Sequence, residues 1–273
     1  MTEVRRRYIS LAFVGLTGCT VFVDWDAFHQ GADGGAVPLT DAASSDASDA
    51  GVAEAVAPEG SAGEGGSPAR GLVLEWSFDD GSGTVVADGS GHGHAGTATG
   101  GTWSADRKGV AGKAYTFTSP NSIVVAPASS DFDRTATGEL TVMAWVRFDA
   151  EPNHSVFVSV EYGAKESAFG LEMHSATSLN YWDGVGHIAQ ADGLPNVMGV
   201  WHHTAVVARA ANIRLYLDGT VIGQGVADVT PRTATRFVAG RSNYDNRIGG
   251  ALDDVRFFQV ALSDAEIVSE MNR

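Results

Sequence analysis

The chain has 273 residues, of which 33 are acidic and 18 basic, giving a formal charge of −15. That balance argues against a polyanion-binding surface, so no nucleic-acid partner is expected. Thirty-four glycines and only three lysines disfavour a helical bundle, and the lone cysteine, Cys19, rules out an intrachain disulfide or a thiolate metal cluster. No run of about 18 apolar residues follows the first twenty positions, so no membrane-spanning helix is predicted beyond them.

Arg5, Arg6 and Arg7 precede a short apolar run from Tyr8 to Gly18, the arrangement of a secretory signal too short to cross a bilayer. The run closes in Leu16-Thr17-Gly18-Cys19, which resembles the bacterial lipobox. The resemblance implies a signal peptide over 1–18 and lipidation of Cys19, with the mature chain held to the membrane by its N-terminal lipid. Thr20 stands where some Gram-negative lipoproteins carry an inner-membrane retention aspartate, which favours the outer membrane or cell surface. The arginines also resemble a twin-arginine signal, and the export route stays open.

Residues 19–70 read as a disordered tether. From His29 to Arg70 there is no Phe, Trp or Tyr, and nine acids lie between Asp24 and Glu64. Such a segment buries too little apolar surface to offset the entropy of ordering it. A flexible chain of about fifty residues spans about 40 Å end to end.

Period-two alternation then dominates residues 71–273, where 14 bases against 23 acids leave −9. Strands are predicted over Leu72–Phe78, Ala114–Thr118, Leu140–Phe148, Ser155–Val160, Trp201–Val207, Arg236–Gly240 and Ala251–Phe258. A hairpin is predicted over Asn212–Ile222, turning at Asp218-Gly219, a pair suited to two positive φ angles. Ile213, Leu215 and Leu217 are expected to face the core, with Arg214 and Tyr216 outward. Ser263-Asp-Ala-Glu266 is a capping box for one C-terminal helix, from which Ile267, Val268 and Met271 can dock. The fold class is therefore all-β: a two-sheet antiparallel jelly-roll sandwich with a short C-terminal helix, preceded by the disordered linker.

Specific residues carry a family likeness. Trp76-Ser-Phe-Asp-Asp-Gly-Ser-Gly83, Val86-Ala-Asp-Gly-Ser-Gly91 and Gly112-Lys-Ala-Tyr-Thr-Phe117 resemble the opening of a LamG-like jelly-roll domain of the concanavalin A-like group. Leu140–Val146, Trp201–Val207 with Leu215–Gly219, and Gly250–Ile267 resemble its central strand, its hairpin and its closing strand and helix. The resemblance implies a structural Ca²⁺ held by Asp88 and Asp253, with Asp79 or Asp80 as a third carboxylate. One departure stands out: Gly91-His92-Gly93-His94 replaces the usual Gly-Asn-Gly-Asn, and imidazole is a poor calcium ligand. Asp88 acting as the cap of its own turn is the competing reading.

His92 and His94, two residues apart, face one way in an extended segment and so form half a zinc site, but no third ligand is evident. His202 and His203 are adjacent and face opposite sides of a strand. No catalytic residues are assigned. Asp253-Asp254 are neighbours, and Glu161, Glu166 and Glu172 stand five or six apart, which is not the spacing of a glycanase carboxylate pair. Trp103, Tyr181 and Trp182 fall in segments that read as loops or edges, where ring faces can stack on sugars. Packing of Tyr181 inward is the alternative. The leading reading is a surface-anchored, non-catalytic lipoprotein displaying one LamG-like module for a glycan or an extracellular protein. An architectural module with no small ligand, and a divergent polysaccharide-acting enzyme, are the rival readings.

Overall fold

A computed structural model describes residues 70–273 except 136, 164–165, 184–186, 227–229 and 243–245. The expected signal peptide, Cys19 and the tether up to residue 69 lie outside the described residues. Sixteen strands follow in order: β1 (Leu72–Trp76), β2 (Val85–Val86), β3 (Gly96–Thr99), β4 (Thr102–Ser104), β5 (Ala114–Phe117), β6 (Ile123–Pro127), β7 (Leu140–Phe148) and β8 (Ser155–Tyr162). Then come β9 (Glu166–Ser175), β10 (Ser178–Trp182), β11 (His187–Asp192), β12 (Trp201–Arg209), β13 (Asn212–Leu217), β14 (Thr220–Val226), β15 (Arg236–Ala239), β16 (Gly250–Phe258) and helix α1 (Asp264–Met271).

All strand pairs are antiparallel. One layer runs β2-β3-β6-β15-β8-β9-β10-β11 and the other β14-β13-β12-β7-β16-β5-β4, with β1 also on β16. Among the described residues one pairing, Ala189 with Gly225, joins them at one edge. The layers face each other across a shared aromatic core. Trp76 meets Phe237 at 5.3 Å between ring centroids, Phe148 meets Phe157 at 6.0 Å, and Phe169 stacks on Phe257 at 6.1 Å. Alternation delivers these rings: in β7, residues 140, 142, 144, 146 and 148 all join the core, as the pattern predicts. The family's jelly-roll architecture is thus in place, and no described helix is long and apolar enough to cross a membrane.

The predicted turn at Asp218-Gly219 takes φ values of 49° and 77°, the left-handed pair that matches hairpin twist. Helix α1 docks against it: a methyl at Gly219 would touch Val268 and Met271, and Ile267 is fully buried. The Ser263–Glu266 capping box forms in both directions. Tyr216 and Arg214 point outward from β13 as expected, yet both reach the Asp264 carboxylate, so the outer face of this layer lies beneath the helix. Strand β16 divides its second edge between β5 and β1, and its register shifts between Asp253 and Arg256 where Asp254 takes φ 47°.

His203 sits on the outer side of β12, 1 % exposed, with its ring edge-on to Trp145 at 5.5 Å. Ring packing holds it, and among the described residues its Nδ1 has no hydrogen-bond partner. Burial, aided by Arg256 and Arg107, lowers its pKa to about 4, against the smaller opposing pull of Asp218. The folded state therefore refuses a proton that the unfolded chain accepts near pH 6.5. Stability from this site is complete above that pH and falls as pH drops from 6.5 towards 4, by at most about 1.4 kcal/mol per pH unit. Urea unfolding across that window should show this slope, and His203→Gln should flatten it.

Candidate functional site

Alternation also decides which side chains leave the core. On the first layer Val160, Phe169, Leu171, Met173, Leu179 and Tyr181 point inward. The residues between them line the outer face in three cross-strand rows. Ser159, Gly170 and Trp182 stand opposite one another, as do Val156, Glu172, Asn180 and Gln190, and Ser178 faces Asp192. Gly170, the partner of the half-buried Trp182, has no side chain, and the space over it is bounded by Val156 and Ser159. The base of this face is buried: Glu172 is 3 % exposed and Asn180 0 %. Its rim is open at Gln190 and Asp192. His154 and His174 meet edge-on at 4.1 Å, with their Nδ1 atoms 3.6 and 4.0 Å from the Glu172 carboxylate. Ser178 and Gln190 donate to Asp192 and hold its carboxyl below the usual range.

Glu161 shares this side of the sheet and pairs with Arg236, while its Oε1 has no hydrogen-bond partner among the described residues. Glu172 lies opposite Val156, five residues along β8 from Glu161. At about 3.3 Å per residue their backbone positions stand about 16 Å apart. That is too far for either the retaining or the inverting arrangement of a glycosidase.

A second feature is the loop from Asp88 to His94. The Asp88 carboxylate accepts from Glu75 N at 2.9 Å, Ser90 N at 3.0 Å, Ser90 Oγ at 2.9 Å and His94 N at 2.8 Å. Burial alone would raise its pKa, but the backbone N–H groups of Glu75, Ser90 and His94 and the Ser90 hydroxyl outweigh it and hold it below the ordinary value. All four lone-pair directions of the carboxylate are thereby occupied. Asp80 accepts from Ala87 N, and exposed Asp79 lies 3.5 Å from the Lys113 ammonium.

Asp253 is 3 % exposed and bonds the Arg107 guanidinium at 2.7 Å, with Asp254 at 2.6 Å on the same nitrogen. Burial and then the neighbouring Asp254 push Asp253 up to about 7, with Arg107 pulling the other way. Arg107 also lies over Trp145, 4.9 Å from the ring centroid. Arg107, Asp253 and Asp254 line a cleft of ≈ 360 Å³ together with Lys108, Lys113 and Arg273. Among the described residues no cluster of three metal-ligating atoms within 4.8 Å includes Asp80, Asp88 or Asp253. The residues named for calcium by family resemblance therefore do not form a calcium cage: Asp88 and Asp80 are spent on backbone donors, Asp253 on a guanidinium, and Asp79 faces an ammonium.

The histidines behave differently. His92 Nδ1 and His94 Nε2 lie 3.0 and 2.8 Å from Asp131 Oδ2. Asp131 sits in a short 3-10 turn, Ser130–Phe132, capped by Ser129. Nothing in the local spacing announces it, since it lies 37 residues beyond His94. Of the expected aromatic contacts, Tyr181 is 1 % exposed and packs against Phe169, so it belongs to the core. Trp103 is half-buried on the edge strand β4, donates to Gly83 O and packs on Tyr115, well separated from Trp182 in the pairing order. Only Trp182 takes the place expected of a ligand platform. A larger cleft of ≈ 460 Å³ lined by Glu151, Asn153, Asn246 and Arg247 has Phe117 as its aromatic, at 4 % exposure, and offers no ring face.

A two-layer jelly roll with one covered and one polar outer face defines a β-sandwich of the lectin and glucanase type. The model of the concanavalin A-like lectin/glucanases superfamily matches residues 117–268, and the chain belongs to that superfamily. No curated protein sequence matches it. Among solved structures it is similar to domain 4 of the GH43 extracellular arabinanase AbnA from Geobacillus stearothermophilus, determined with arabinotriose. That likeness has TM-score 0.58 and 19 % identity over 73 % of this chain and 97 % of that domain. Trypanosoma rangeli sialidase with sialic acid aligns at TM-score 0.56 and 16 % identity over 72 % of this chain, which spans 32 % of the sialidase. The binding domain of Paraclostridial Mosquitocidal Protein 1 aligns at 0.55 and 15 % over 74 % of this chain and 52 % of that one.

Asp88→Ala leaves three backbone N–H groups without an acceptor and should cost about 1–3 kcal/mol in unfolding experiments. The loss should be the same with calcium or with chelator. A melting temperature that rises with calcium in the parent but not in the variant would restore Asp88 as an ion ligand.

Proposed function

We propose that the chain is a lipid-anchored bacterial envelope protein whose sandwich binds a glycan on the outer face of β8–β11 without cleaving it. The observation that carries this reading is the half-buried Trp182, paired with Gly170 and adjacent in register to the polar row Glu172–Asn180–Gln190. A pyranose or furanose offers C–H faces to a ring and hydroxyls at its edge, and an apolar platform flanked by orienting polar groups suits both. The arabinanase domain solved with arabinotriose supports an oligosaccharide as the ligand class. The separation of about 16 Å between the backbone positions of Glu161 and Glu172 favours binding over hydrolysis at that pair.

The lipobox-like Leu16–Cys19 supports anchoring at the outer membrane or cell surface, with the acidic segment as spacer. Cys19→Ala should abolish palmitate labelling and release the protein from the membrane fraction, and labelling that persists refutes the anchor.

An oligosaccharide array followed by titration calorimetry tests the ligand. Trp182→Ala should weaken any sugar hit at least about tenfold, roughly 1.4 kcal/mol, while leaving the melting curve in place. The parent should release no reducing ends from the bound glycan. Binding unaffected by Trp182→Ala removes this face, and the absence of any hit returns the architectural reading.

A further inference from the structure

Two glycines shape the loop that carries His92 and His94. Gly91 and Gly93 take φ of 85° and 82°, and a side chain on either would meet nothing within 4 Å. Left-handed backbone at alternate positions turns both imidazoles the same way. The rings lie 6.1 Å apart with planes inclined by 28°. His92 presents its near nitrogen and His94 its far one, and both converge on Asp131 Oδ2.

We propose that His92, His94 and Asp131 bind one divalent ion of the zinc class, with a fourth coordination position open to solvent. Two imidazoles and a carboxylate are the donor set of a borderline transition metal, and such three-ligand sites keep an open position. The three ligand atoms already lie within 4.8 Å of one another. Tetrahedral zinc with bonds of about 2.0–2.2 Å separates its ligands by about 3.3 Å. The observed 2.8 and 3.0 Å contacts need to open by only a few tenths of an ångström.

The ligands are also held in place by groups that do not themselves ligate. His94 N donates to Asp88 and its carbonyl accepts from Trp76 Nε1 at 3.0 Å, while its ring packs on Phe132 at 4.6 Å. His92 N donates to Ser90 Oγ. Asp131 N donates to Ser129 Oγ, and Gln259 Nε2 donates to the Asp131 carbonyl at 2.7 Å. A metal would thus meet a loop and a turn, 37 residues apart in sequence, that the fold has already brought together. Calcium is disfavoured there because two of the three donors are nitrogen.

The test is calorimetric titration of the full-length protein with ZnCl₂ and separately with CaCl₂ at neutral pH. One equivalent of zinc should bind with Kd of about 10 μM or tighter, and calcium should not compete. Saturating zinc should raise the melting temperature by about 5 °C or more. His92→Ala and Asp131→Asn should each weaken binding at least tenfold. The His92 side chain is 44 % exposed, so His92→Ala should melt with the metal-free parent and separate loss of ligand from loss of fold. No saturable uptake up to about 1 mM, or uptake kept in both variants, overturns the site. So does uptake that vanishes in His174→Ala instead, which would place the ion beside Glu172.

Discussion

The indole of Trp76 is the contact on which both the sandwich and its loop depend. The ring lies fully buried between the layers against Phe237, while its N–H leaves the core to hold the carbonyl of His94. A buried donor without an acceptor costs about 1–3 kcal/mol, so core and loop order together. Asp88 completes the clamp by taking the N–H of the same residue. Both backbone groups of His94 are thereby fixed from the domain side, which leaves its side chain alone to face Asp131. The placement of His94 thus originates in the hydrophobic core.

The two outer faces show how one alternation rule yields opposite surfaces. Outward residues of the second layer, such as Met143, Val207, Tyr216 and Phe258, are apolar or aromatic and nearly inaccessible. They lie in the layer that α1 covers, where Asp264 holds Tyr216 and Arg214. Outward residues of the first layer instead include Ser159, Glu172, Asn180 and Gln190 beside Val156 and Trp182, polar groups that ask for water or a polar ligand. The contrast is visible only once strands are paired, because each strand alone reads as half buried.

Much of the architecture was legible in the sequence. The long central strand 140–148, the Asp218-Gly219 hairpin and the capping box at Ser263 each have local chemistry that admits one outcome, and each took it. The short strands β2, β3, β4 and β6 have two to five residues and little alternation to read, and they exist because neighbours pair with them. The candidate sites were less legible for the same reason. Tyr181 and Trp182 are sequence neighbours with opposite fates, decided by a register that periodicity cannot supply. Asp131 meets the histidines through a long-range fold contact, and Arg107 claims Asp253 across 146 residues. A carboxylate's partner in a β-sandwich is chosen by topology, so motif spacing could nominate Asp88 and Asp253 but could not reveal how their oxygens are used.

The place where the sandwich begins has a directional consequence. Arg70 lies 3.9 Å from Glu266 on the helix, and a side chain on Gly71 would strike Val260, so β1 enters on the helix-bearing side. The Trp182 face belongs to the other layer and looks away from that entry. A substitution at Gly71 or Glu266 therefore disturbs the layer opposite the one that carries Trp182.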